Sequence, residues 1–181
     1  MTIPAHVPSP GVHRTTLTAG SVRLSALVSA PVGAPPRATV VALHGGGTGA
    51  AYFDGRAHPD LSLLTLGARL GYTVLALDRP GYGSSATALP EGQCLTEQVA
   101  TVGAALDDHS AHHDIGAGLF LLAHSYGGSL ALTAAAEHTG RTYLGVDVSG
   151  CGHRLAPEVS RSGGQGGHWK KYWGPLRLYP H

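Results

Sequence analysis

Ser125 is the residue of this 181-residue chain whose setting best suits it to do chemistry. It stands in LFLLAHSYGGSLALTAAAEH, residues 119–138, where an apolar run of strand type passes at once into an alanine-rich run of helical type. Ala123 lies two residues before it, and Gly127 and Gly128 follow. That is the sequence form of a strand–nucleophile–helix elbow. The turn is so tight that a large side chain at either flank would strike the neighbouring backbone, which calls for Gly or Ala. Such a turn exposes the serine hydroxyl at the end of a strand and sets it at a helix N-terminus, where the dipole and free N–H groups favour developing negative charge. The usual spelling is G-x-S-x-G, and here Ala123 replaces the first glycine.

Two other loops have the composition of a site. HGGGTG, residues 44–49, follows the apolar run ATVVAL, and DRPGYGSS, residues 78–85, follows TVLAL. The runs ATVVAL, TVLAL, LFLLA and YLGVDV (38–43, 73–77, 119–123, 143–148) read as strands buried on both faces. Helical segments are expected over 61–70, over 96–109 with Thr96 as N-cap, and over 127–138. Residues 12–17 and 21–29 read as an antiparallel hairpin turning at Ala19-Gly20. Short apolar strands alternating with helices imply βαβ units and a mostly parallel sheet, with functional loops at the carboxyl ends of the strands. All three glycine-rich loops fall at that end.

Bulk properties narrow the rest. A chain of this length, 43% hydrophobic, builds one domain with a real core. A formal net charge of +1 gives no electrostatic footprint for nucleic acid or an anionic membrane. The 12 histidines are scattered and show no H-E-x-x-H spacing, and Cys94 and Cys151 form no C-x-x-C, so no metal is expected. HGGGTG lacks the Lys-Ser/Thr of a phosphate-binding loop, and no G-x-G-x-x-G opens a helix after the first parallel strand, so no cofactor is expected either. Two distant cysteines, no basic-then-apolar leader and no membrane-length apolar run make a cytoplasmic protein the simplest expectation.

Taken together, HGG after the third strand, DRPGYGSS after the fourth and AHSYG after the fifth resemble the α/β-hydrolase superfamily, in its serine-nucleophile branch, over residues 12–150. The resemblance implies an α/β fold: a mostly parallel sheet with an N-terminal antiparallel hairpin and helices on both faces. It implies Ser125 as nucleophile, with the backbone N–H of Tyr126 and that of Gly46, or its neighbour Gly45, as oxyanion donors. A nucleophilic aspartate, as in dehalogenases and epoxide hydrolases of the same fold, is excluded at the elbow by the serine. The family order is nucleophile, acid, histidine, with the acid after strand seven and the histidine after strand eight. No such units are legible here. The fold is therefore expected to stop after about strand six, with 1–11 a flexible tail, 12–150 the core of a single partial domain and 151–181 the start of a lid-like insertion. Asp147 near the end of strand six, and His153 and His168 in the loops beyond, are the acid and base candidates this sequence offers. His44 and His124 are expected to pack structurally, and Asp78 to order its own loop with Arg79 and Gly81.

The function expected is a serine hydrolase acting on a carboxylic ester or related small acyl substrate. The alternative is an inactive fragment or a binding module that keeps the pocket without the acid and histidine. Substrate identity and oligomeric state are open at this level.

Overall fold

The computed structural model describes residues 6–137 and 143–152. Among these residues six strands form one sheet: β1 (His13–Ala19), β2 (Val22–Ser29), β3 (Thr39–Leu43), β4 (Thr73–Leu77), β5 (Leu119–His124) and β6 (Tyr143–Ser149). Their order across the sheet is β1-β2-β4-β3-β5-β6. The hairpin pairs His13 with Val28 through Ala19 with Val22, and β2 joins β4 antiparallel. The β4–β3, β3–β5 and β5–β6 pairs are parallel. The mostly parallel sheet with an antiparallel N-terminal hairpin is thus as expected.

Among the described residues three α-helices cover the sheet: α1 (Leu63–Arg69), α2 (Leu95–His112) and α3 (Tyr126–Ala136). On one face α2 and α3 contribute Val99, Val102, Leu106, Leu130 and Ala134 to a core with Leu43, Leu77 and Leu121. On the other, Leu64 of α1 packs with Phe53, Ala42, Val74 and Ala76. Burial on both faces explains two of the apolar runs: every residue of β4 is buried, and all but one of β3. The expectation fails for the other two: β5 is buried only at alternate residues, and β6, which among the described residues pairs on one side only, has no buried residue.

Element edges moved where caps decided them. Helix α1 starts at Leu63, because 59–61 form a 3₁₀ turn and Ser62 Oγ then accepts from the Thr65 N–H at 3.2 Å. Helix α2 runs longer than expected, and its N-cap is Cys94, not Thr96. The Glu97 carboxylate reaches back to accept the Cys94 N–H at 2.7 Å, which fixes the earlier start. In the segment expected as a tail, His6 and Ser9 are tethered to Asp54 Oδ2, each at 2.9 Å. The other oxygen of Asp54, Oδ1, accepts from Ser62 Oγ at 2.6 Å.

The topology places a crevice. The connection from β3 leads through α1 to β4 on one side, and that from β5 leads through α3 to β6 on the other. The carboxyl ends of β3 and β5 therefore flank the point where the winding reverses, the usual ligand position in open parallel sheets. Leu43 pairs with Ala123 there, so Gly45 and Ser125 leave the sheet side by side. A groove of about 460 Å³ lined by Val40, Tyr72, Phe120 and Leu144 lies at the opposite, amino ends of these strands and has no part in that crevice.

Candidate active site

Ser125 is the residue between β5 and α3, with φ 55° and ψ −124°. Among the described residues it alone, apart from glycines, has positive φ. A non-glycine residue held there is strained by roughly 1–3 kcal/mol, and such strain persists only where the surroundings over-determine it. Here they do. The Ser125 N–H donates to the Ser149 carbonyl at 2.8 Å, and the Ser125 carbonyl accepts from the Gly128 N–H at 2.8 Å. The first turn of α3 is pressed onto the end of β3: a Cβ on Gly127 would lie 2.2 Å from the Leu43 carbonyl oxygen. Only glycine allows that approach, which is the physical content of the small residues read around the serine.

Gly45 meets the serine from the β3 side. A Cβ on Gly45 would come 2.9 Å from Ser125 Cβ and 3.4 Å from the His124 carbonyl oxygen. Gly46 follows in a turn, half-buried, and among the described residues its N–H donates to no protein acceptor. Tyr126 is the first residue of α3, where backbone N–H groups point out along the helix axis. Of the three residues expected as oxyanion donors, Gly45 thus lies against Ser125, Gly46 follows it in the loop and Tyr126 is the residue after the serine.

Behind this front lies a buried polar layer. Arg79 is fully buried. Its Nε donates to the His44 carbonyl at 2.8 Å, Nη1 to Gln98 Oε1 at 2.8 Å and Nη2 to the Gly45 carbonyl at 3.1 Å. The rings of Tyr82 and Tyr126 each lie 4.9 Å from its guanidinium carbon. Among the described residues no carboxylate pairs with it. His44 is also fully buried. Its Nε2 accepts the Arg79 backbone N–H at 3.0 Å, so its proton sits on Nδ1, which donates to the Gly45 carbonyl at 2.7 Å. Burial first, and the Arg79 charge second, push its pKa from 6.5 down to about 4. His44 is therefore a neutral structural strut with both nitrogens occupied. Burial likewise pulls Arg79 down, opposed by the two tyrosines, although a guanidinium keeps its charge in any protein setting.

His124 borders the serine. Its ring stacks on Tyr52, centroids 5.1 Å apart, and its Nδ1 lies 3.2 Å from Ser149 Oγ. Asp78 does more than order its own loop. Its Oδ2 accepts from Ser25 Oγ at 2.6 Å and its Oδ1 from the Ala50 N–H at 2.7 Å, tying the β4 end to β2 and to the segment after β3.

Asp147 pairs with Leu122 in the sheet and is exposed. Among the described residues no hydrogen bond joins it to Ser125 or His124, and Ser125 Oγ itself has no hydrogen-bond partner. His153 and His168 lie outside the described residues, as does most of the segment expected as a lid. The sequence reading gave Arg79 a part only in its own loop, and it missed Gln98 and Tyr52. Gln98 left a signal: it opens a stripe continued by Val102, Ala105 and His109 along one face of α2, all buried, in which it and His109 are polar.

The alpha/beta hydrolase family model matches residues 40–180. No curated protein matches the chain. Among solved structures, the chain is similar to a highly thermostable carboxyl esterase from Bacillus coagulans, at 19% identity and TM-score 0.60, covering 84% of this chain and 48% of the other. It is similar to a haloalkane dehalogenase from Agrobacterium tumefaciens C58, at 22% identity and TM-score 0.59, with 84% and 48% covered. It is also similar to epoxide hydrolase A from Mycobacterium thermoresistibile, at 26% identity and TM-score 0.55, with 76% and 38% covered. The chain spans about half, or less, of the length of the structures it resembles.

Proposed function

The chain belongs to the alpha/beta hydrolase family, and from that premise we propose that it is a serine hydrolase acting on a carboxylic ester or a related small acyl compound. The observation that carries the proposal is the strained Ser125, held at φ 55° at the head of α3 with Gly45 against its Cβ. Ser125 Oγ attacks the acyl carbon and gives up its proton to a base. The N–H groups of Gly46 and Tyr126, with Gly45 beside them, receive the oxyanion. The alcohol leaves with a proton, and water then releases the acid from the acyl-serine. The structures resembled include a dehalogenase and an epoxide hydrolase. Serine rather than aspartate at the elbow directs the proposal to acyl transfer.

Asp147, His153 and His168 are the residues of this sequence to test as acid and base. The serine without a hydrogen-bond partner among the described residues favours one second reading. On that reading the pocket binds an acyl compound but turns it over poorly, since loss of a triad member costs on the order of 10⁴ in rate. The test is labelling by a fluorophosphonate, with S125A as control, beside turnover of a p-nitrophenyl ester. Labelling lost in S125A, with turnover, supports the hydrolase. Absence of Ser125-dependent labelling rejects it, and labelling with negligible turnover favours the second reading.

A further inference from the structure

We propose that Arg79 is a positioning residue that fixes the Gly45–Gly46 peptide and so aims the Gly46 N–H at the space in front of Ser125. The purpose of that aim rests on the serine-hydrolase reading; the orientation of the peptide does not.

The inference begins with the Gly45 carbonyl oxygen. It accepts three donors: His44 Nδ1–H at 2.7 Å, Arg79 Nη2–H at 3.1 Å and Thr48 Oγ1–H at 3.3 Å. A planar trans peptide sets its C=O and the following N–H antiparallel, and no peptide of the described chain is cis. Pinning the Gly45 oxygen on one side therefore fixes the Gly46 N–H on the other. That N–H has no acceptor among the described residues, while the Gly45 end of the same peptide lies against Ser125. A glycine-rich loop has the most freedom to flip, and glycines occupy positions 45, 46 and 47. The loop's own residues hold it only in part; a buried cation from the neighbouring loop completes the hold.

Arg79 is built to be that anchor. Its guanidinium is fixed by a planar fork on two carbonyls and Gln98, and by the rings of Tyr82 and Tyr126. It is thus joined to both candidate oxyanion residues, through the Gly45 carbonyl on one side and the Tyr126 ring on the other. The absence of a carboxylate partner among the described residues also has a use. An unneutralised cation hydrogen-bonded to a peptide oxygen polarises that peptide and strengthens its N–H as a donor. Lysine carries the charge but has one ammonium for three acceptors, so it cannot hold the same fork.

The experiment uses the 181-residue chain, labelled with ¹⁵N, in wild-type, R79K and R79M forms. Two readouts are taken: the Gly46 amide proton shift, against strand amides such as Val41 and Leu121, and the kinetics of fluorophosphonate labelling at Ser125. In R79K the Gly46 amide is expected to move upfield and exchange faster while the strand amides stay in place. Labelling is expected to slow in kinact with KI unchanged. In R79M the amide change is larger and kinact falls about 10²-fold, as for loss of one oxyanion donor. If R79M does not fold, R79K decides alone. A Gly46 amide unmoved in R79K overturns the proposal. If wild-type chain shows no Ser125-dependent labelling, the hydrolase reading fails, and the amide shifts still judge Arg79.

Discussion

Replacing His44 by glutamine should remove a large part of the acid sensitivity of this fold. In the folded chain the His44 imidazole is held near pKa 4, against 6.5 for the ordinary side chain, chiefly because it is buried and secondly because Arg79 lies beside it. Its Nε2 must stay unprotonated to accept the Arg79 N–H. The unfolded chain takes up a proton as pH falls through 6.5, while the folded chain resists until about 4. Stability is therefore fully present above pH 6.5, declines between 6.5 and 4, and has lost this contribution below 4. A gap of about 2.5 pKa units at 1.36 kcal/mol each amounts to roughly 3 kcal/mol, of which about 2.5 kcal/mol falls between about pH 7.5 and 4.5. The glutamine of H44Q would not titrate, and its side-chain oxygen can take over the acceptor role toward Arg79. The assay is urea unfolding of wild type and H44Q at half-unit steps over that range. With an ordinary urea dependence, the wild-type midpoint should fall by roughly 1 M more than that of H44Q. Taking the difference removes His109, pushed down by burial and by His113, and Asp54, whose pKa is lowered by its hydrogen bonds from Ser62, Ser9 and His6 against the opposing effect of burial. Parallel midpoints for the two proteins would refute the reasoning.

Gly127→Ala forces a methyl against the Leu43 carbonyl at 2.2 Å and should cost about 1–3 kcal/mol or more, read from the urea midpoint. Gly45→Ala brings a methyl to 2.9 Å from Ser125 Cβ. It should slow fluorophosphonate labelling by displacing the serine and cost about 1–3 kcal/mol in the unfolding midpoint; a labelling rate equal to wild type would count against the crowding at the serine. Asp54→Asn weakens acceptors of the Ser9 N–H and Ser62 hydroxyl, so it should cost about 1–3 kcal/mol and speed proteolysis near His6 and Ser9. Unchanged proteolysis there would show that Asp54 does not tether the segment.

Periodicity and composition carried far in this chain because burial on both faces of a parallel sheet writes itself as short apolar runs. β3 and β4 could be read that way, and the three loops at the carboxyl ends of β3, β4 and β5 by their glycines; β5 and β6 carry the same apolar composition, yet β5 is buried only at alternate residues and β6 at none. The small residues around Ser125 were legible as an elbow pattern, but what each one avoids belongs to other elements: a Cβ on Gly127 would lie 2.2 Å from the Leu43 carbonyl oxygen of β3, and one on Gly128 would lie 2.7 Å from Cys151 Cβ. Helix ends were less legible, because a cap depends on which side chain reaches which N–H. Thr96 and Cys94 compete for one helix start, and the Glu97 carboxylate settled it.

The sequence by itself determined the order of strands and helices along the chain, the elbow at Ser125 and the family it resembles, because those follow from local sterics and from which residues leave water. Only the tertiary structure decided what stands behind the elbow. Arg79 and His44 are 35 positions apart, and Gln98 lies a further 19 positions along, on the next helix. No local rule joins them. They meet because the parallel pairing of β3 with β4 brings their loops together and the packing of α2 under the sheet closes the layer from below. A buried cation and a neutral histidine are tolerable there only because all three guanidinium nitrogens and both ring nitrogens find partners, and that is a property of the packed whole.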